Sequence, residues 1–213
     1  MAVTTIWKCA VSAICRIPVK DPRISATKRH SLAVEMKELP VLTTLRFDLI
    51  VPDIRQAEDI FCYGTDPEFC KYIDAKPFST LSEAENFLSG LIAARDHGER
   101  LYWAIYDRSI SRIIGTMGFI EVSWRHGVAE FGFGIARTHW GNGVFMECAA
   151  TLFIFAKNEL GVERLEMRAR ADNQNAIRAC LKAGFQEEAI LKSFYRPQGI
   201  DVRVDAMQMC YFL

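Results

Sequence analysis

The stretch that decides the fold is Ala129–Phe145, AEFGFGIARTHWGNGVF. Its first half alternates as a strand does, and the part from WGNG onward is typical of a turn that leads into a helix. Gly141 and Gly143 stand at this junction, where a glycine-rich backbone can aim several N–H groups at one anion. The helix N-terminus adds roughly half a positive charge. Alone this is a weak signal, because glycines also mark ordinary turns.

The whole chain has the composition of a globular domain, with 213 residues of which 50% are hydrophobic and 24% charged. This length predicts one domain with a sizeable core. The formal net charge is zero, so nothing global indicates a nucleic-acid or membrane partner. No stretch of the sequence approaches the length of a membrane-spanning helix.

The seven cysteines and four histidines are scattered and form no C-x-x-C or Cys/His cluster. An odd number of dispersed cysteines favours free thiols in a reducing, cytoplasmic compartment over a disulfide framework. The same dispersion predicts that the protein has no metal centre.

Residues 1–40 differ from the rest of the chain. Lysines and arginines in this segment are opposed only by Asp21, Glu35 and Glu38. We interpret the segment as a disordered basic extension or as a gene start assigned too early, with Met36 as the true start. A transit peptide is a further alternative, and we expect the folded domain over residues 41–213.

From Leu42 onward the hydrophobic periodicity predicts an α/β domain with a mixed sheet. The first strand is expected over residues 42–52, with Leu45 among its alternating apolar positions. Helices are expected next, and then three strands joined by short turns, which imply an antiparallel meander. Gly115 and Gly118 in the second of these strands predict a bulge or a close backbone approach. The predicted order is β-α-α-β-β-β-α-β-α-β-β, with at least one parallel pairing.

Several short motifs occur in a fixed order between residues 42 and 213. They are LTTLRF from Leu42, Asp66-Pro67-Glu68, AEFGF from Ala129, HWGNG from His139 and NQNA from Asn173. In this order they resemble the GCN5-related N-acetyltransferase (GNAT) superfamily, and within it the RimJ/RimL-like branch. The resemblance implies the acyl-CoA N-acyltransferase fold, acetyl-CoA as acetyl donor and no metal.

The resemblance also implies which residues bind acetyl-CoA. The pyrophosphate would lie on backbone N–H groups from Trp140, Gly141, Asn142, Gly143, Val144 and Phe145. The main chain of Ile135, Ala136 and Arg137 would hydrogen-bond the pantetheine arm as an added strand. Asn173 would help to hold the pantetheine from the following helix.

For catalysis, Glu130 is the expected general base, which takes a proton from the amine directly or through a water molecule. A backbone N–H near Ile135 is expected to stabilise the oxyanion. Many family members place a tyrosine that acts as general acid where this chain has Cys180. We interpret Cys180 as a buried structural cysteine, although a thiol could serve. The general acid is then unassigned, with Tyr195 as a fallback.

Four residues depart from the family pattern. Phe145 replaces a small residue, Asn142 a common lysine, Ala176 a frequent serine and Leu181 a glutamate. None of these changes blocks an anion site built from backbone. Phe145, however, would crowd the turn or tilt the cofactor.

We therefore expect an N-acetyltransferase that transfers the acetyl group of acetyl-CoA to a primary amine by direct attack in a ternary complex. The acceptor is open between a protein N-terminus and a small amine such as an amino acid, polyamine or aminoglycoside. The alternative is a non-catalytic acyl-CoA-binding or sensing module of the same fold. A homodimer is a further expectation, because open mixed sheets of this kind often pair.

Overall fold

The computed structural model describes residues 39–73, 75–197 and 201–213. The strands are β1 (Leu42–Thr43), β2 (Phe47–Ile50), β3 (Leu101–Asp107), β4 (Arg112–Ser123), β5 (Val128–Ile135), β6 (Arg164–Arg170), β7 (Gln186–Tyr195) and β8 (Val204–Phe212). The α-helices are α1 (Ala57–Gly64), α2 (Pro67–Cys70), α3 (Leu81–Asp96), α4 (Val144–Leu160) and α5 (Gln174–Lys182). Short 3-10 helices cover Ile54–Gln56 and Arg137–His139.

The strands form one mixed sheet in the order β1-β2-β3-β4-β5-β6-β8-β7. All neighbours are antiparallel except β5 and β6, which run parallel. Helix α4 makes the crossover that a parallel pair requires. The predicted mixed sheet with its parallel pairing is therefore confirmed.

The two faces of the sheet bury two different cores, because alternate residues of each strand point to opposite sides. In β3, Trp103 belongs to the larger core together with residues of α4 such as Phe155, whose ring centroid lies 5.5 Å away. The neighbouring Ala104 packs instead with Ile60 of α1 and Leu88 of α3. Helices α4 and α5 therefore cover one face, and α1 and α3 cover the other.

The glycines of β4 lie where other backbones approach closely, as predicted. A Cβ on Gly115 would collide with the carbonyl oxygen of Gly134, and one on Gly118 with that of Leu101. The register of β3 against β4 shifts beside Gly115, between Ile105 and Tyr106. Both parts of the prediction, a bulge and a close approach, are confirmed.

The beginning of the domain differs from its prediction. Instead of one strand over residues 42–52, the chain forms a tight β1–β2 hairpin in which Leu42 pairs with Leu49. The turn is fixed by Thr44, whose hydroxyl accepts a hydrogen bond from the N–H of Phe47 at 2.9 Å. Leu45 is consequently 77% exposed, so its predicted place on a buried face is wrong. The short helix expected to start at Asp66-Pro67 forms as α2, which makes three helices before β3 where the predicted order counts two.

The predicted extension over residues 1–40 lies outside the described residues except for its last two. Leu39 is buried in the larger core, and the carbonyl of Pro40 accepts a hydrogen bond from the Trp103 indole at 2.8 Å. These two residues belong to the folded domain. The predictions for residues 1–38 stay predictions. Within the described ranges, no helix is long and apolar enough to cross a membrane.

Candidate functional site

Strands β5 and β6 separate from each other part of the way along the sheet. They pair only at Val128–Arg164, Ala129–Leu165 and Glu130–Glu166. Beyond this level β5 continues beside β4 and β6 continues beside β8. A wedge therefore opens in the middle of the sheet, and a cleft of about 840 Å³ runs through it.

The wedge exposes backbone groups of β5 that have no strand partner. The Ala136 N–H donates to the Ile114 carbonyl of β4 at 2.8 Å. Because backbone groups in an antiparallel pair alternate in direction, those of Gly134 also face β4. Those of Phe133 and Ile135 must then face the wedge. The Ile135 carbonyl accepts a hydrogen bond from the Trp140 indole at 2.6 Å.

This alternation changes which residues can offer main-chain bonds to a ligand. Ile135, predicted to do so, presents its N–H to the wedge. Ala136 does not fit its predicted part, because its N–H is used by β4 and its carbonyl accepts from His139 at 2.9 Å. The carbonyl of Arg137 likewise accepts from Trp140 at 3.1 Å. Phe133 was missed, since the sequence does not reveal which residues of β5 pair with β4.

The turn before α4 forms the row of N–H groups expected from its glycines. Gly141 and Gly143 have φ of 78° and 76°, in the left-handed region that favours glycine. No side chain caps α4 at Gly143, whereas Asp66 caps α2 and Asn173 caps α5. Among described residues, nothing accepts the N–H groups of residues 141–146, whereas the N–H of Trp140, predicted to belong to the row, donates to the Arg137 carbonyl. This row at the positive end of a 17-residue helix is suited to bind an anion.

Phe145 does not cover this row of N–H groups. Its side chain is 7% exposed, and its ring centroid lies 4.4 Å from that of Phe133 and 6.2 Å from that of Phe131. The ring packs against the sheet and lines the inner wall of the cleft. The Phe145 side chain, which departs from the family pattern, therefore fills the core beneath the turn. Its backbone remains part of the turn.

The turn is also fixed from outside, by the β1–β2 hairpin. Arg46 donates from Nη2 to the Asn142 carbonyl at 3.0 Å, and its Nε lies 2.8 Å from Oε2 of Glu147. The Thr44 hydroxyl donates to Oε1 of Glu147 at 2.7 Å. Although burial alone would raise the pKa of Glu147, hydrogen bonds from Thr44 and Arg46 hold that pKa below its usual value. Thr44 and Arg46 belong to the LTTLRF motif, but the sequence does not show that they meet Glu147.

Glu130 lies at the base of the wedge, at the last level where β5 and β6 pair. Its side chain forms an ion pair with Arg168 of β6 and is 19% exposed. Arg168 lines the cleft. The carboxylate predicted to be a base is therefore close to the cleft but already has a cationic partner.

Tyr102 of β3 is another side chain near the base of the wedge, and the sequence did not indicate it. A Cβ on Gly132 would lie 2.5 Å from its hydroxyl oxygen, so glycine gives the ring its room. Burial raises the pKa of Tyr102 to about 12, which keeps the hydroxyl protonated. Within the described part of the chain this hydroxyl makes no hydrogen bond, and the ring lines the cleft.

The two candidate general acids, Cys180 and Tyr195, lie in different surroundings. Cys180 is fully buried in the larger core, and burial raises its pKa to about 12. This agrees with a structural cysteine. Tyr195, at the end of β7, lines the cleft. Asn173 also lines it, and its Oδ1 accepts from the N–H of Ala176 at 3.2 Å.

A bulge in β7 brings Tyr195 to the cleft. Leu191 pairs with Ala206 and Tyr195 with Val204, so that several residues of β7 stand opposite Asp205 alone. Ser193 in this bulge has a φ of 50°, which is uncommon for a residue other than glycine. Asp205 accepts from the Ser193 N–H at 2.9 Å. Bulges of this kind redirect side chains and are frequent beside active sites.

Helix α2 and the residues after it bridge the open end of the wedge. On the β5 side, Arg137 lies 2.6 Å from Asp66. On the β6 side, Arg170 donates to the Lys71 carbonyl at 3.0 Å. Phe69 lies between these ties, with its ring 3.2 Å from where a Cβ on Gly134 would be. The cleft is therefore closed at this end and open toward the two faces of the sheet.

No three His, Cys, Asp or Glu side chains lie together as a metal site would need, within the residues that the structure describes. The groups that line the cleft are backbone N–H, aromatic rings and a few cations. Such a set is suited to an anionic, elongated ligand more than to a metal ion.

Comparisons with known proteins agree with this geometry. The family model described as acetyltransferase (GNAT) domain matches residues 46–186. The "uncharacterized N-acetyltransferase p20" of Bacillus licheniformis is 28% identical over 166 residues, which cover 77% of this chain and 93% of that protein.

Two solved structures share the fold. The microcin C7 self-immunity acetyltransferase MccE, in complex with acetyl-CoA and AMP, has a TM-score of 0.71 and 19% identity, covering 79% of this chain and 93% of that one. RimL, a ribosomal L7/L12 alpha-N-protein acetyltransferase in complex with coenzyme A, has a TM-score of 0.72 and 15% identity, covering 82% and 98%.

The chain belongs to the GNAT acetyltransferase family. It is an acetyl-CoA-dependent acyltransferase, and the resemblance inferred from the ordered motifs is confirmed, with RimL among its structural neighbours.

Proposed function

We propose that the protein transfers the acetyl group of acetyl-CoA to a primary amine, by direct attack while both substrates are bound. The observation that carries this proposal is the wedge between β5 and β6, which joins a backbone ladder to a row of N–H groups at α4. A cleft that passes through the sheet lets donor and acceptor meet inside it. Holding both reactants in one site removes much of the entropic cost of their encounter.

The donor side of the cleft fits the chemistry of coenzyme A. The pyrophosphate would lie on the N–H groups of residues 141–146, and the pantetheine amides would extend β5 at Phe133 and Ile135. Asn173 has an amide that caps α5 and faces the same cleft. Arg178 and Lys182, one helical turn apart on α5, also line the cleft and would add positive charge near the phosphates.

The reaction forms an N–C bond between the amine and the acetyl carbonyl carbon and breaks the C–S bond. The ammonium form must first lose a proton. Glu130 would accept it through a water molecule, because its carboxylate already contacts Arg168. Of the Phe133 and Ile135 N–H groups that face the wedge, the one that pantetheine leaves free would stabilise the oxyanion.

The sulfur of the departing coenzyme A takes up one proton, which completes the balance. Tyr102 and Tyr195 are two of the three tyrosines that line the cleft, with Tyr72 as the third. Tyr102 is protonated at neutral pH and would donate this proton.

A thiol-release assay with acetyl-CoA and a panel of primary amines tests this function, after calorimetry has shown whether acetyl-CoA binds. Release of coenzyme A that depends on an amine is the expected result. Binding without release for any amine would indicate a non-catalytic acyl-CoA-binding module instead. Absence of binding would contradict both functions.

The role of Glu130 needs its own comparison. Glu130→Gln should lower kcat about a hundredfold or more, as loss of a general base does, and should alter the pH profile. Glu187→Gln, on the exposed part of β7, is the matched control and should behave as the wild type. An unchanged pH profile in Glu130→Gln would show that the base is another group.

Other expectations stay predictions. RimL acts on a ribosomal protein, and a protein N-terminus is one acceptor to include in the panel. A reducing, cytoplasmic location is supported by the free thiols of the described cysteines. A homodimer would be tested by light scattering.

A further inference from the structure

The acceptor side of the cleft has a composition that limits which amine can bind. Gly132 and Gly134 of β5 face away from α4, toward Tyr102 and Phe69. Tyr72 and Tyr195 line the same side of the cleft. We refer to Phe69, Tyr72, Tyr102 and Tyr195 as the aromatic wall. A wall of this kind is suited to bury an apolar or aromatic side chain of a ligand.

The cations on this side each have a carboxylate partner, and Lys71 pairs with Glu68 at 3.9 Å. Arg168 lines the cleft. The Lys71 ammonium and the Arg170 guanidinium each lie 5.2 Å from the centre of the Tyr72 ring. A polyamine or an aminoglycoside, which carries several ammonium groups, would find no unpaired carboxylate among these ion pairs.

The nearby carboxylates are already paired with these or other cations. Glu130 pairs with Arg168, Asp66 with Arg137 and Asp172 with Arg170. A polycation would therefore have to displace an arginine to find an anionic partner.

Arg168 occupies the position from which a second group on the acceptor can be bound. Glu130 pairs with Glu166 in register, so Arg168 stands level with Gly132, one residue from the Phe133 N–H. Its guanidinium lies 5.6 Å from the Phe194 ring, which the β7 bulge holds in place. A guanidinium has five N–H donors, more than its contact with one Glu130 oxygen employs. A carboxylate matches this fork of donors.

We propose that the acceptor is a free α-amino acid with an aromatic or large apolar side chain, and that Arg168 binds its carboxylate. The inference rests on the proposed function, since it concerns the same reaction. The aromatic wall holds the side chain, Arg168 holds the carboxylate, and the α-amine then lies near the exposed backbone of Phe133. Its nitrogen acquires the acetyl group, and its proton leaves toward Glu130.

Three amines that differ at one group test the proposal. They are phenylalanine, phenylalaninamide and phenethylamine, with spermidine as the polycation. We expect kcat/KM for phenylalanine to exceed that for the other three by about tenfold to a hundredfold, as for loss of a hydrogen bond to a charged group. A preference for spermidine, or equal rates with the amide, would overturn the proposal.

Arg168→Gln separates carboxylate binding from an effect on Glu130. If Arg168 only orients the base, the variant loses the same factor with phenylalanine and phenethylamine. If it binds the carboxylate, only phenylalanine is affected and the preference between the two amines disappears. Arg125→Gln, at an exposed turn, is the control and should keep the preference.

A binding measurement keeps this proposal distinct from the proposed function. If the wild type releases no coenzyme A with any amine, the proposed function fails. Phenylalanine is then titrated calorimetrically into the enzyme with coenzyme A bound. Binding that is lost in Arg168→Gln and kept in Arg125→Gln supports the acceptor site, and absence of binding to the wild type overturns it.

Discussion

The guanidinium of Arg46 donates a hydrogen bond of 3.0 Å to the carbonyl of Asn142, although 96 positions separate the two residues. The same side chain pairs with Glu147 in the first turn of α4. The β1–β2 hairpin therefore holds the turn whose N–H groups would bind the phosphates. This contact gives the arginine of the LTTLRF motif a structural role at the start of α4.

Arg46→Met should raise KM for acetyl-CoA by about tenfold while kcat changes little. The variant loses the bond to Asn142 and leaves Glu147 with fewer partners, so the N–H row is less well held, at a cost of about 1–2 kcal/mol in donor binding. Calorimetric titration with acetyl-CoA measures the effect directly. Arg55→Met, an exposed arginine on the first 3-10 helix, should leave donor binding unchanged. An equal loss in both variants would contradict the role of Arg46.

Gly132→Ala should lower activity strongly. The added methyl would lie 2.5 Å from the Tyr102 hydroxyl and 2.9 Å from Ile120, so that the tyrosine must leave its place in the cleft. The steady-state rate and the thermal midpoint should be measured together. Gly90→Ala in α3 is the control, because a Cβ there meets nothing within 4 Å and helix propensity should raise stability by about 0.5–1 kcal/mol.

Tyr102→Phe should lower kcat by about a hundredfold, the low end for a general acid, with little change in KM for acetyl-CoA. The hydroxyl is lost while the ring that forms part of the aromatic wall stays. Tyr195→Phe is the parallel variant in steady-state assays. If only Tyr195→Phe lowers kcat, the proton to sulfur comes from β7 instead.

Because the folded state lowers the pKa of Glu147, the free energy of unfolding should decrease in acid. A carboxyl whose folded-state pKa is lowered stabilises the protein above its unfolded-state pKa of about 4.3. This contribution is lost as the pH falls through the lower, folded-state pKa. Urea unfolding should therefore show the wild type more stable than Glu147→Gln at pH 7 and at pH 5.5. The difference should shrink toward pH 3, and a difference independent of pH would contradict the linkage.

The sequence predicted what depends on local pattern and on the order of motifs. The turn with Gly141 and Gly143, the glycine contacts of β4 and the parallel pairing followed from periodicity and spacing. The prediction placed Leu45 on a buried strand face because the alternation of apolar residues continues through the turn that Thr44 closes. The exposed backbone of Phe133 depends on the register between two strands, which no local pattern determines.

Contacts between distant segments could not be predicted either. Arg168 and Glu130 meet across the wedge, and Tyr102 reaches the cleft only because Gly132 leaves space for it. Asp205 of β8 holds the bulge of β7, and this contact exists only when the two strands have paired. Each of these relationships requires the assembled sheet.

The cleft passes through the sheet, with the ties from Arg137 and Arg170 closing its end. Acetyl-CoA and the amine acceptor would therefore enter the cleft from opposite faces of the sheet. Either product could then dissociate before the other. Kinetically, this favours random release of coenzyme A and acetylated amine, and it lets the two halves of the site change independently during evolution.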